Sequence, residues 1–290
     1  MKLVRFRIKS EERIGLSTNS GIIDIAKHLK GAPTSMNDVF ARWGELSENL
    51  KKLEAEVAAD YSLSSVTLLS PIARPGKIMG IGLNYSDHAA ESKMELPKVQ
   101  LWFAKAATSI NDPLGDVHLP RVSEQLDYEA ELVVVIGQRC RHVKREDVAS
   151  VIFGYCAGND FSVRDWQLNT SQFSLGKSFD THGPVGPCIA TADSVDPTDL
   201  NIRCFVNGEE RQHSNTKHLI FNCYDMVEHL SKAMTLEPGD LLFTGTPAGV
   251  GFGMNPKQWL KAGDIVRVEI DGIGAIENHV VNEPSDVISP

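Results

Sequence analysis

The sequence predicts an α+β protein that is mostly β, and three observations support this. Short apolar runs of strand length recur through residues 71–290, bounded by Gly, Pro, Asn and Asp. Asn207-Gly208 in "FVNGEE" and Asp271-Gly272 in "EIDGIGA" each lie between strand-like flanks, which is the strongest short-range hairpin signal. Helical spacing is confined to a few segments that do not alternate with strands, so a βαβ chain is not expected.

In chain order, "LVRFRI" alternates like a strand, and "GIIDIAKHL" is a short apolar segment. "MNDVFARWGELSENLKKLEAEVAAD" reads as a charged helix whose buried side carries Leu46, Leu50, Leu53 and Val57. "SPIARPGKI" then punctuates the chain with two prolines and a glycine, and a boundary is expected near residue 70. This gives a small N-terminal α+β domain, 1–70, and a larger domain, 71–290. Beyond the boundary the candidate strands are 77–82, 100–104, 127–136, 151–158, 185–190, 202–207, 241–244, 265–271 and 274–281. A helix is expected over about 222–235, with Val227, Leu230 and Met234 on one face, ended by "EPGD".

The 290 residues are 42% hydrophobic, enough for a sizeable core, and carry a formal net charge of −9. That charge argues against nucleic acid, which requires a basic face. A small anionic substrate is compatible with it if a metal or a Lys/Arg cluster reverses the local field. The cysteines, at 140, 156, 188, 204 and 223, are odd in number and form no CxxC pair, as in a reduced intracellular protein. The first residues contain no signal-peptide-like apolar run, and no stretch approaches the ~20 apolar residues of a membrane span. A soluble, cytoplasmic protein is the expectation.

The stretch "LDYEAELVVVIG", residues 126–137, places carboxylates where a core strand should be apolar. Alternation puts Glu129 and Glu131 on one face, with Asp127 beside them. Close like charges repel unless a cation lies between them. The next strand candidate ends on a further acid, Asp160. Three carboxylates without His or Cys suit a hard divalent cation: Mg2+, with Mn2+ or Ca2+ as alternatives. Taken alone, ExE reads more simply as the solvated face of an edge strand.

Four more segments bear on the choice: "GIGLNYSDHAAES" (80–92), "GNDFSVRDWQ" (158–167), "GKSFDTHGPVGP" (176–187) and "LEPGDLLFTGTPAGVG" (236–251). In order and spacing, residues 71–290 resemble the fumarylacetoacetate hydrolase family. The resemblance implies a mixed β-sandwich roll, usually a homodimer, with Glu129, Glu131 and Asp160 holding Mg2+ or a similar ion. It makes His88 and Glu91 the catalytic pair. Their three-residue spacing suits one side of a helical turn, where the glutamate orients the imidazole to draw a proton from water. Without the other segments, the pair reads as a surface turn. Arg164 and Gln167, with Lys177, resemble the donors that hold substrate and stabilise oxyanion charge; the alternative for Arg164 is an ion pair with Asp165. Lys105 matches a lysine common in members or is a solvated lysine, and is given no catalytic role. "TGTPAGVG" lacks the GK[ST] of a P-loop and more simply supplies backbone groups and Thr246 to the pocket mouth. Tyr85 contacts substrate or packs.

The activity this implies is hydrolysis of the C3–C4 bond of a 2,4-dioxo acid, such as an acylpyruvate, fumarylpyruvate or a 2,4-diketo-3-deoxy sugar acid, releasing pyruvate. Alternatives are oxaloacetate decarboxylation and isomerisation or hydration of hydroxymuconate-type 2-oxo diacids. A protein of another class, a metal-stabilised fold that binds a ligand without turnover, is the remote alternative.

Overall fold

The computed structural model describes residues 1–86 and 97–285. Residues 1–70 supply strands β1 (Lys2–Ile8), β2 (Glu11–Thr18), β3 (Gly21–Asp24) and β4 (Thr67–Leu69), with helices α1 (Ile25–His28), α2 (Met36–Ala41) and α3 (Trp43–Glu56). Strands β5 (Ile78–Gly82), β6 (Leu101–Lys105), β7 (Ile110–Asn111), β8 (Val117–Leu119), β9 (Leu126–Asp127) and β10 (Ala130–Ile136) follow. Then come β11 (Ile152–Asn159), β12 (Ser162–Val163), helix α4 (Arg164–Leu168), β13 (Gly183–Thr191), β14 (Asn201–Val206) and β15 (Glu209–Asn215). Helix α5 (Cys223–Ala233), β16 (Leu241–Phe243), β17 (Ile265–Ile270) and β18 (Gly274–Asn282) complete the described chain. The fold is α+β and mostly β, as the sequence predicts.

The large sheet runs β3-β2-β1-β13-β11-β10-β16-β5-β6, and a second sheet runs β15-β14-β17-β18-β8. The apolar run of β10 serves both faces of the large sheet. Ala130, Leu132, Val134 and Ile136 join the core shared with Ile202, Cys204, Val266 and Val268 of the second sheet. Val133 and Val135 point the other way, into a core with Met36, Val39, Leu46 and Leu50 of α2 and α3. A strand buried on both faces needs continuous rather than alternating hydrophobicity, which is why "LVVVI" shows no period.

The sheet crosses residue 70: Lys2 and Leu3 of β1 pair with Ala190 and Ile189 of β13. The helix expected over 36–60 is divided at Arg42. Ser35 caps α2 by accepting the Asp38 N–H at 3.1 Å, and the Arg42 N–H closes that helix on the Asp38 carbonyl. Leu46 and Leu50 are buried, and Leu53 and Val57 pack at the edge of the same cluster. Both expected hairpins form, β14–β15 and β17–β18. Strand β15, "EERQHSN", was not among the candidate strands because it is polar; it is an edge strand with exposed glutamates. Helix α5 starts from a capping box in which Asn222 accepts from the Asp225 N–H and Asp225 accepts from the Asn222 N–H.

The packing between β11 and β13 is close. A Cβ placed on Gly154 would lie 2.2 Å from the Ala190 carbonyl oxygen. Gly154→Ala is therefore expected to lower unfolding free energy by about 2 kcal/mol, through strand displacement. Urea denaturation monitored by circular dichroism checks this, and a wild-type midpoint would show that the strands yield freely.

Candidate metal centre and substrate cavity

The expected strand 127–136 breaks at Tyr128 and Glu129, and that break builds the site. Asp127 pairs with Ser162 in the short β9–β12 ladder, and pairing with β11 resumes at Ala130. The backbone N–H groups between the ladders are satisfied by side chains. The Tyr128 N–H donates to Asp127 Oδ1 (2.9 Å), that of Glu129 to Asn159 Oδ1 (2.8 Å) and that of Ala130 to Gln212 Oε1 (3.0 Å). The Asp160 N–H in turn donates to the Glu129 carbonyl at 2.9 Å, so two of the acids are tied through the backbone.

Glu129, Glu131 and Asp160 thereby converge: one carboxylate oxygen from each lies within 4.8 Å of the others, and all three residues are buried. The Gly245 N–H donates to Glu131 Oε2 at 2.7 Å. Gly245 has φ +92°, and a Cβ there would lie 2.8 Å from the Asn84 Cβ, so glycine is needed for this approach. Asn84 holds the same turn by donating to the Thr244 carbonyl at 2.8 Å.

Three buried cations face these acids. Lys177 Nζ lies 2.7 Å from Glu129 Oε2 and 2.9 Å from Asp160 Oδ2. Lys105 Nζ lies 2.6 Å from Asp160 Oδ1 and also donates to the Lys177 carbonyl. Arg164 bridges Asp127 Oδ2 (Nη2, 2.7 Å) and Glu129 Oε1 (Nη1, 2.6 Å). Burial disfavours the charge on Glu129, yet Lys177 and Arg164 outweigh it and hold the carboxyl down to about 2. For Lys177 too, burial opposes charge, but Asp160 and Glu129 prevail and raise its pKa. Lys105 is shifted down because burial outweighs the attraction of Asp160. Glu131 differs: burial, then the carboxylates of Asp160 and Glu129, push its pKa well above the ordinary 4.5.

The cluster opens on a cavity of about 400 Å3. Glu129, Arg164, Gln167, Lys177 and Thr246 form part of its wall, and Phe103, Phe173, Leu168, Val250 and Phe252 supply an apolar remainder. Gln167 Oε1 accepts from Arg164 Nη1 at 2.9 Å, and Thr246 Oγ1 accepts from Gln212 Nε2 at 2.8 Å. The structure thus brings together seven of the sequence-predicted residues: Glu129, Arg164, Gln167, Lys177 and Thr246 in the cavity wall, and Glu131 and Asp160 beside Glu129 in the carboxylate cluster. Tyr85 is fully buried in the main core, bridged to Leu219, and is not part of the wall. His88 and Glu91 lie outside the described residues.

Two of the alternatives left open by the sequence are excluded. The partner of Arg164 is not Asp165, whose Oδ1 instead accepts from Ser123 at 2.7 Å; it is Asp127 with Glu129. Lys105 is no solvated lysine, since its side chain is fully buried against Asp160. A lysine inside the otherwise apolar strand "LWFAK" was the available signal. Asn159 and Gln212 gave no such signal, because their roles depend on strands remote in sequence.

The comparisons with known proteins agree with this fold. The model for the fumarylacetoacetate (FAA) hydrolase C-terminal domain matches residues 77–281. The chain belongs to the fumarylacetoacetate hydrolase family. It is 42% identical over 289 residues to the mitochondrial oxaloacetate tautomerase fahd2 of Xenopus laevis, covering 97% of this chain and 90% of that one. Among solved structures, the fumarylacetoacetate hydrolase of Exiguobacterium antarcticum superposes with a TM-score of 0.86 at 35% identity, covering 98% of this chain and 100% of that one. The maleylpyruvate hydrolase of Sphingobium sp. SYK-6, solved with manganese(II) and pyruvate, gives 0.83 at 32% identity over the same shares. Relatives with these names are enzymes: hydrolases, isomerases and tautomerases.

The residues present fit a divalent ion. The donor set is all carboxylate, as hard cations require. The acids Asp127, Glu129, Glu131 and Asp160 also outnumber the cations Lys105, Arg164 and Lys177, and Glu131 has no cationic side chain bonded to it among the described residues. Without an ion, the raised value of Glu131 favours the folded state at acid pH, and that contribution is lost as pH rises past 4.5 toward the folded value. Glu131→Gln, which keeps the acceptor for Gly245 and removes the charge, is therefore expected to melt at or above the wild-type temperature in chelator at pH 8. Added Mn2+ should raise the wild-type melting temperature but not that of the variant. An equal Mn2+ response in both would remove Glu131 from the ligand set.

Proposed function

We propose that the protein catalyses enolate chemistry on a small 2-oxo acid, and that its reaction is the keto–enol interconversion of oxaloacetate with a Mg2+ or Mn2+ ion held by Glu129, Glu131 and Asp160. The observation that carries this reading is Lys177, a buried ammonium bonded to two of the three carboxylates and set in the cavity wall. The similarity over 97% of the chain to proteins named oxaloacetate tautomerases supports the choice of substrate.

The bound ion would act as a Lewis acid that lowers the cost of removing a proton next to the 2-oxo group. The chain's own groups supply the rest. Arg164 and Gln167 orient the substrate carboxylate. The Lys177 ammonium, kept charged by Asp160 and Glu129, donates a hydrogen bond where negative oxygen charge develops. Phe103, Phe173 and Phe252 limit water in the cavity, which strengthens these interactions. The proton carrier in this scheme is His88, which the family resemblance pairs with Glu91. The positive groups also account for an acidic chain accepting an anion.

A second reading is hydrolysis of a 2,4-dioxo acid at its C3–C4 bond, with His88 drawing the proton from water. The apolar part of the wall favours it, because a four-carbon diacid leaves that surface without a partner.

The enol ultraviolet band of oxaloacetate and pyruvate release should be followed together, with Mg2+ or Mn2+ and with EDTA. Accelerated loss of the band without pyruvate, abolished by EDTA, is expected. Pyruvate from acetylpyruvate or maleylpyruvate would transfer the assignment to the second reading. Lys177→Met should slow the ion-dependent reaction about 10²-fold or more, as loss of one oxyanion donor does elsewhere. A rate near wild type would remove Lys177 from the mechanism.

A further inference from the structure

Asp127 lies outside the carboxylate triad, yet it is fully buried beside it and is the most heavily bonded acid of the site. Its Oδ2 accepts from Arg164 Nε at 2.8 Å and lies 2.7 Å from Arg164 Nη2, a pairing along one edge of the guanidinium. The same carboxylate accepts the N–H groups of Gly251 (Oδ1, 2.8 Å) and Phe252 (Oδ2, 3.0 Å). The Phe252 ring then lies over the guanidinium, 5.7 Å from Cζ to ring centroid. Arg164, Val250, Phe252 and Gly253 all line the cavity. One acid therefore joins two walls that come from distant parts of the chain.

We propose that Asp127 is a positioning residue for the substrate anion, fixing the Arg164 guanidinium against the 250–253 loop so that the anion meets it at a set place. This rests on the reading that the cavity takes a 2-oxo acid. Arg164 has two acidic partners, Asp127 and Glu129, and Glu129 belongs to the triad. With Asp127 present, the guanidinium is anchored independently of Glu129. Without it, the guanidinium is free to turn toward Glu129 or the substrate, and the loop loses its shared acceptor. A displacement on the order of 1 Å in a positioning group is enough to cost orders of magnitude in function. Asp127 is not one of the three converging carboxylates and does not line the cavity, so its influence on a bound anion runs through Arg164.

The test is pyruvate binding to the Mn2+-loaded protein by isothermal titration calorimetry, with Mn2+ affinity measured separately. Asp127→Asn keeps the shape and one acceptor oxygen but removes the charge. It is expected to weaken pyruvate about tenfold or more, with Mn2+ affinity unchanged. In an Arg164→Met background, Asp127→Asn should cost nothing further, because positioning through Arg164 makes the two changes non-additive. Additive losses, unchanged pyruvate affinity in Asp127→Asn, or a parallel loss of Mn2+ affinity would each overturn the proposal. Should Asp127→Asn not fold, Arg164→Lys is informative by itself. A lysine cannot span Asp127 and Glu129, so it should also lose about tenfold, and wild-type affinity would overturn the proposal. Wild-type protein that binds Mn2+ but no pyruvate would overturn it together with the 2-oxo acid reading, whereas unaltered binding in the variants overturns it alone.

Discussion

Charge compensation inside the protein governs how this site is built. Removing a carboxylate from water costs several kcal/mol, recovered only when a partner of opposite charge and good geometry is supplied. Asp127, Glu129, Glu131 and Asp160 are all buried, and Lys105, Arg164 and Lys177 are buried with them. The bonds interlock: Lys177 spans Glu129 and Asp160, Arg164 spans Asp127 and Glu129, and Lys105 anchors Asp160. Each of these three cations thus balances at least one acid of the triad. Glu131 is the acid that this arrangement leaves to be balanced by something else, which is why the carboxylate cluster makes chemical sense as a cation site.

The sheets exist, from the site's point of view, to keep that charged set in place. β10 is gripped from both faces, by the second sheet on one side and by α2 and α3 on the other. A strand held in that way has no freedom to slide, because a one-residue shift would exchange its two faces. The N-terminal segment therefore contributes to the site without touching it. Its helices cover Val133 and Val135, and those residues continue the face on which Glu131 sits.

Much of this was legible in the sequence. The hairpin turns, the helices and the run "LVVVI" follow from local rules, because turn chemistry and residue spacing act over a few residues. The acids of the ExE stretch were visible as a violation of core patterning, and Gln167, Lys177 and Thr246 line the cavity they share. What could not be read depends on contacts between distant segments. Alternation suggests one unbroken strand from 127 to 136, whereas side chains from three segments take the backbone N–H groups at 128–130. Sequence proximity offered Asp165 as the alternative partner of Arg164, whereas the fold brings Asp127 and Glu129. The sequence also left Lys105 between solvent and ligand, because nothing local reveals that the Asp160 carboxylate waits behind it.

That gap in the strand has a consequence for how the protein comes into being. The Ala130 N–H is satisfied by a side chain 82 positions further along, on an edge strand of the other sheet, and the Glu129 N–H by one 30 positions away. Contacts of such separation must close long loops before they reward the chain, and they form more slowly than local structure. The carboxylates therefore reach their final arrangement only when both sheets have docked, and a nascent chain that has made β10 and β11 alone has no finished centre to offer an ion. An ion that binds this carboxylate cluster would therefore meet the completed molecule rather than a partly folded chain, and its binding energy would add to the stability of the docked sheets.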